Sequence, residues 1–91
     1  QWIIANIISG ALTFFLPITY TQQAIILAGG ILILAAECFN TAIERVVDDI
    51  GSEKRLAAKY AKDAGSAGVA ITAIATGVVW LIVTLDLLSR Q

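Results

Sequence analysis

The sequence AGSAGVAITAIATGVVWLIVTL, residues 64–85, contains no formally charged side chain over 22 consecutive positions. A helix needs about 20 residues to cross a hydrocarbon core about 30 Å thick, so this stretch is long enough to span a membrane. The first 36 residues of the chain are uncharged as well. Hydrophobic residues make up 58% of the 91 residues and charged residues 14%, which indicates lipid as the main solvent. We therefore predict an all-α integral membrane protein.

Two breaks divide the chain into three predicted helices. Pro17 and the polar residues after it interrupt the first uncharged run, and Gly51 with Ser52 interrupts the charged stretch that follows. The pattern predicts a single domain over residues 1–91, with membrane spans at about 2–16, 21–47 and 63–88. A charged helical segment is expected to lead into the third span.

The charged side chains are concentrated at one end of the predicted bundle. Of the 13 charged residues, 11 lie between positions 37 and 63. A Lys/Arg excess in a short connecting segment marks the cytoplasmic side of a membrane. The segment here carries Lys54, Arg55, Lys59 and Lys62. We therefore expect the ionic chemistry at the cytoplasmic face, and the net charge of -1 argues against a nucleic-acid partner.

A polar stripe runs along the second predicted helix. At about 100° per residue, four side chains fall within an arc of about 80°. They are Glu37, Asn40, Glu44 and Asp48. Glu37 is the first charge in the chain and lies at or below the headgroup level, where a carboxylate is costly and indicates function. Glu44 lies about 10 Å nearer to water, where one or two carboxylates with substrate phosphates suit Mg²⁺. A structural role for Glu37, and an ion pair of Glu44 with Arg45, remain open.

The start of the third span offers a second group of polar side chains. Lys62, Asp63 and Ser66 place a cation, a carboxylate and a hydroxyl close together, next to the small Gly65. A lysine here could contact phosphate, or it could only mark the membrane boundary. The chain contains no G-x-x-x-x-G-K-[ST] sequence, so phosphate binding would depend on side chains. It also contains no histidine, the commonest general base.

The strings AECFNTAIERVVDDIGSE, residues 36–53, and AKDAGSAGV, residues 61–69, strongly resemble the small bacterial integral-membrane diacylglycerol kinases. Their pattern is close to E-x-x-N-[ST]-A-I-E-x-V-V-D-x-I-G-S-E followed by A-K-D-x-G-S-A. The resemblance implies a multi-pass kinase of the bacterial cytoplasmic (inner) membrane with its active site at the cytoplasmic face. Such an enzyme transfers the γ-phosphoryl group of Mg-ATP to diacylglycerol, giving phosphatidic acid, and forms homotrimers with shared active sites. The similar undecaprenol kinases are the alternative, although they commonly carry Ser-Pro-Glu where this chain has Gly-Ser-Glu.

The resemblance also implies roles for individual positions. Glu37 matches the general base that takes the proton from the lipid hydroxyl, and Glu44 matches the carboxylate that holds the metal bridging the ATP phosphates. The nucleotide-contacting positions correspond to Glu44, Glu53, Lys54, Arg55, Lys62 and Asp63, with Lys62 on the phosphates. The positions that line the site correspond to Glu37, Asn40, Asp48, Gly65 and Ser66, with Ser66 on the lipid side.

Family members also carry an amphipathic surface helix ahead of the first span, with a second metal-binding carboxylate. Residues 1–91 contain nothing like this helix, so we expect this stretch to lack part of each active site. Two other classes of function remain open. A proton- or ion-conducting subunit would use Glu37 but leave Glu44 and Lys62 unexplained, and a purely structural bundle would tolerate neutral substitution of both glutamates.

Overall fold

The computed structural model describes residues 2–51 and 55–91. It contains three α-helices: α1 (Trp2–Phe15), α2 (Tyr20–Ile50) and α3 (Leu56–Ser89). They form a rod about 57 Å long and 18 Å across, in which α2 packs against both α1 and α3. The prediction of an all-α protein is confirmed. Ser52 and the predicted nucleotide-binding residues Glu53 and Lys54 lie outside the described residues.

The turn between α1 and α2 follows from its local sequence. α1 ends at Phe15, two residues before Pro17, which has no backbone N–H to donate. Thr19 then caps α2 in a capping box with Gln22. The Gln22 backbone N–H donates to Thr19 Oγ1 over 3.1 Å, and the Thr19 backbone N–H donates to Gln22 Oε1 over 3.0 Å. α2 therefore begins at Tyr20, one residue before the predicted position.

The helices continue further into the charged region than the predicted spans do. α2 runs to Ile50, three residues beyond the predicted end, and the backbone N–H of Gly51 donates to the Val47 carbonyl over 3.4 Å. α3 begins at Leu56, so the charged segment and the third predicted span form one continuous helix of 34 residues. Its first turns are rich in alanine, the strongest helix former, which explains why no break occurs there.

α2 and α3 are each long and apolar enough to cross a membrane. α1 is a shorter apolar helix of 14 residues, about 21 Å long. Most large apolar side chains face outward, for example Phe14 and Ile71, which are 72% and 65% exposed. An outer surface of this kind suits lipid, and the small interior is built mainly from branched aliphatic side chains. The buried aliphatic residues are Ile26, Ile33, Val47, Val69 and Val83.

Polar contacts join the helices at the end opposite the charged region. Gln22 Nε2 on α2 donates to Asp86 Oδ2 on α3 over 2.7 Å. Arg90 forms an ion pair with the same carboxylate and donates to the Pro17 carbonyl over 3.3 Å. Nearer the middle of the rod, Trp80 Nε1 on α3 donates to Ser9 Oγ on α1 over 2.7 Å. These bonds hold α1 and the α1–α2 turn against α3.

Candidate functional site

An open pocket of about 140 Å³ lies between the three helices, near the point where the uncharged part of α2 ends. Glu37 and Asn40 line it from α2, Ser66 lines it from α3, and Trp2 lines it from α1. Val69 and Ala70, also on α3, complete its wall. The pocket therefore brings together three of the residues that the sequence singled out, beside three apolar or aromatic residues.

Glu37 is the deepest carboxylate on α2 and is half-buried. Asn40 lies three residues further along, and side chains at this spacing are neighbours on a helix surface. Ser66 lines the same pocket from α3, so the pocket presents both a carboxylate and a hydroxyl. A carboxylate in this position can accept a proton from an alcohol that enters the pocket.

Asn40 connects the pocket to Glu44. Its Nδ2 donates to Glu44 Oε1 over 3.0 Å, along one turn of α2. Its Oδ1 is buried and has no hydrogen-bond donor among the described residues. A buried acceptor without a donor lowers the free energy of unfolding by about 1–3 kcal/mol. The amide of Asn40 is therefore kept at this position at some cost in stability. Asn40 therefore bonds Glu44 through its Nδ2 and leaves its Oδ1 buried against Gly65.

Two exposed ion pairs involve the predicted phosphate-binding region. Lys62 Nζ on α3 lies 2.6 Å from Asp48 Oδ1 on α2, and Lys59 Nζ lies 3.0 Å from Asp63 Oδ2 within α3. The side chain of Lys62 is 42% exposed and that of Asp48 is 66% exposed. Surface pairs contribute about 0–1 kcal/mol, so an incoming anion can displace Asp48 from Lys62 at little cost. Arg55, also predicted to contact the nucleotide, is the exposed N-cap residue of α3 and makes no side-chain capping bond.

The chain matches the prokaryotic diacylglycerol kinase family over residues 1–84. It belongs to this family. The match extends far beyond the motif region of residues 36–69, and it confirms the resemblance that the two sequence strings indicated.

Three relatives illustrate how similar this family member is to characterised sequences. It is 42% identical over 69 residues to a diacylglycerol kinase of Haemophilus influenzae, an alignment that covers 76% of this chain and 58% of the relative. It is 33% identical over 79 residues to the Escherichia coli K12 enzyme of the same name, with coverages of 87% and 65%. It is 31% identical over 85 residues to the diacylglycerol kinase of Pseudomonas aeruginosa, and this alignment covers 93% of this chain and 69% of the relative. The chain thus spans roughly three fifths of the length of the first two relatives.

The donor groups of this family member suit a metal ion that arrives with a nucleotide. Within residues 2–51 and 55–91, no three His, Cys, Asp or Glu side chains are grouped closely enough to hold a metal ion. Glu44 is half-buried, and Asn40 engages only one of its two oxygens in the recorded bond. Mg²⁺ is commonly bound by one or two carboxylates together with substrate phosphates and water. Glu44 therefore has the donor chemistry that a Mg²⁺ ion shared with a phosphate group requires.

Three pocket residues are not among the predicted site residues: Trp2, Val69 and Ala70. Trp2 lies in the uncharged N-terminal run, which the sequence predicts only as an apolar helix. Tryptophan is enriched at membrane interfaces, where its ring spans the boundary between lipid and headgroups. That preference was the available signal, but only the packing of α1 brings Trp2 close to Glu37 and Ser66.

Proposed function

We propose that this chain is the membrane core of an ATP-dependent diacylglycerol kinase that transfers the γ-phosphoryl group of Mg-ATP to the lipid hydroxyl and so forms phosphatidic acid. The observation that carries the proposal is the pocket in which Glu37 and Ser66 meet, with Glu44 linked to it through Asn40. Membership of the prokaryotic diacylglycerol kinase family supports the same activity.

The position of the pocket explains how a lipid and a nucleotide could meet. Glu37 borders the uncharged part of α2, whereas Glu44 lies seven residues, or about 10 Å, nearer to the charged end. The alcohol of a membrane lipid would reach Glu37 from the hydrocarbon side. The phosphates of a nucleotide would reach Glu44 and Lys62 from the water, without entering the apolar region.

The proposed reaction is a direct in-line transfer without a phospho-enzyme. Glu37 accepts the proton of the lipid hydroxyl, whose oxygen forms a bond to the γ-phosphorus as ADP leaves. Lys62 leaves Asp48 to contact the phosphates of ATP. Glu44 would hold the Mg²⁺ that accompanies ATP, and this ion neutralises part of the phosphate charge. Positioning and charge neutralisation supply most of the catalysis in reactions of this type.

The assembly and orientation of the protein belong to the same proposal. We place α1 as a short first span before α2 and α3, with the pocket at the cytoplasmic face of the inner membrane. The Lys/Arg excess between α2 and α3 supports this orientation. The homotrimer with shared sites rests on the family resemblance, and the outward-facing apolar side chains leave surface available for neighbouring subunits.

The decisive experiment incubates the full-length protein, in vesicles, with radiolabelled Mg-ATP and either diacylglycerol or undecaprenol. We expect phosphatidic acid as the product. Glu37→Gln, which keeps the shape of the side chain but removes the base, should lower the rate by about 100-fold or more while nucleotide binding persists.

Each alternative has its own outcome in this assay. Phosphorylation of undecaprenol alone would identify the other acceptor, and ATP-independent proton flux without lipid phosphorylation would support an ion-conducting subunit. Wild-type turnover by Glu37→Gln would exclude Glu37 as the base.

A further inference from the structure

Gly65 of α3 lies directly against the carboxamide of Asn40 of α2. A Cβ atom on Gly65 would overlap Asn40 Oδ1, and it would lie 3.4 Å from Ile43 Cδ1. Gly68, one turn further along α3, has nothing in the described residues within 4 Å of the same atom. The absence of a side chain therefore matters at Gly65 and not at Gly68.

The orientation of the Asn40 amide follows from its two neighbours. An ionised carboxylate only accepts hydrogen bonds, so Asn40 must present Nδ2 to Glu44. Its Oδ1 then points toward Gly65, where it is buried. Glu44 fixes one end of the amide, and the close approach of the Gly65 backbone leaves no room for the other end to move toward α3.

We propose that Gly65 is a positioning residue, which acts through Asn40 to hold the Glu44 carboxylate in place. The inference rests on the proposed function of Glu44 as a ligand of the Mg²⁺ of Mg-ATP. In this role Gly65 would act through its close packing against Asn40 and not as a ligand. Groups that orient a metal-binding side chain commonly change metal affinity by about 10–100-fold when they are altered. A Cβ at position 65 would displace the amide and release Glu44.

The test replaces Gly65 by alanine in the full-length protein and measures metal binding without turnover. Binding of Mn²⁺ in the presence of a non-hydrolysable ATP analogue is followed by electron paramagnetic resonance, and the Mg²⁺ dependence of lipid phosphorylation is measured in parallel. We expect Gly65→Ala to need roughly tenfold more of either ion for half-saturation.

Two further glycines provide matched controls. Gly29→Ala disturbs the same helix pair, because its Cβ would lie 2.6 Å from Thr76 Oγ1, but it is 11 residues from Asn40 on α2. It should lower thermal stability and leave the metal requirement unchanged. Gly68→Ala should change neither quantity, since its Cβ meets open space.

Asn40→Ala tests whether Gly65 acts on Glu44 through Asn40 or only through general helix packing. This variant should weaken Mn²⁺ binding about as much as Gly65→Ala does, and Gly65→Ala should have no additional effect in its presence, because the clashing amide is gone. If Gly65→Ala alone does not fold, the double variant should fold and bind Mn²⁺ like Asn40→Ala.

Wild-type Mn²⁺ affinity in Gly65→Ala or in Asn40→Ala would overturn the inference. The inference would also fail if Gly65→Ala and Asn40→Ala had additive effects on Mn²⁺ affinity. It would fail as well if Gly29→Ala lost as much metal affinity as Gly65→Ala. If the wild-type protein phosphorylates no lipid, the proposed function fails first. If it is active while Gly65→Ala binds Mn²⁺ normally, only the positioning role fails.

Discussion

At the scale of single residues, the polar stripe on α2 links packing to chemistry. Asn40 is an interface residue on its Gly65 side and a hydrogen-bond donor on its Glu44 side. Substitution of Gly65 is therefore expected to disturb Glu44 through Asn40. Substitution of Glu44 is expected to disturb the packing of Asn40 against Gly65. Because of this coupling, we expect substitution of Glu44 to have effects that substitution of an exposed carboxylate does not have.

Glu44→Gln should raise the Mg²⁺ concentration for half-maximal activity and also lower the rate. The change keeps the size of the side chain, but it removes the charge that attracts the metal ion and allows the Asn40 amide to turn, because Gln both donates and accepts. Initial rates are measured against Mg²⁺ concentration at fixed ATP.

Asp49→Asn is the matched control for this prediction. It removes a carboxylate from the same helix, but Asp49 is exposed and lies off the stripe, so the Mg²⁺ dependence should stay as in the wild type. A lower rate in Glu44→Gln with unchanged Mg²⁺ dependence would remove Glu44 from the metal site.

The sequence predicted the stripe but not the contacts across the helix pair. Glu37, Asn40 and Glu44 share a face because helical periodicity is local. The approach of Gly65 to Asn40 and the pairing of Lys62 with Asp48 depend on how α2 and α3 are rotated against each other. That rotation is set by the fit of many side chains along the interface, which no short stretch of sequence specifies.

At the scale of elements, one interhelical hydrogen bond among residues 2–51 and 55–91 attaches α1 to α3, near the middle of the rod. Trp80 Nε1 donates to Ser9 Oγ in partly buried surroundings. The sequence predicted α1 from its apolar length and from Pro17. It gave no indication of this bond, because Ser9 and Trp80 are 71 positions apart.

Ser9→Ala should destabilise the folded protein by about 1 kcal/mol, because the indole N–H loses its partner in an apolar environment. The free energy of unfolding is measured in mixed micelles by titration with sodium dodecyl sulfate. Trp80→Phe removes the donor instead, and in its presence Ser9→Ala should have little further effect. Wild-type stability of Ser9→Ala would show that the bond contributes nothing measurable.

At the scale of the whole molecule, the rod is longer than the hydrocarbon core is thick. Its length is about 57 Å, against about 30 Å for the core, so the helices must extend into water. The charged residues are concentrated at one end, where α2 and α3 continue past the uncharged runs. The sequence predicted this asymmetry directly, since it depends only on the order of charges along the chain.

The orientation can be tested by thiol labelling after Cys38, the single cysteine, is replaced by serine. Tyr60→Cys lies at the charged end and Ser89→Cys at the other, and both native residues are exposed. If the Lys/Arg-rich end faces the cytoplasm as proposed, a membrane-impermeant maleimide should label Ser89→Cys in intact spheroplasts and Tyr60→Cys only after lysis. The opposite labelling would put the pocket on the side without ATP.

The two tryptophans lie at different levels of the rod, and this separation gives the protein two natural optical probes. Trp2 forms part of the pocket wall, whereas Trp80 is bonded to Ser9. Since the chain contains only these two indoles, its intrinsic fluorescence is the sum of one emitter beside the pocket and one at the contact between α1 and α3. Trp2→Phe leaves Trp80 as the remaining indole of the chain, so comparing the two spectra separates the emission beside the pocket from the emission at the contact between α1 and α3, without attaching a dye.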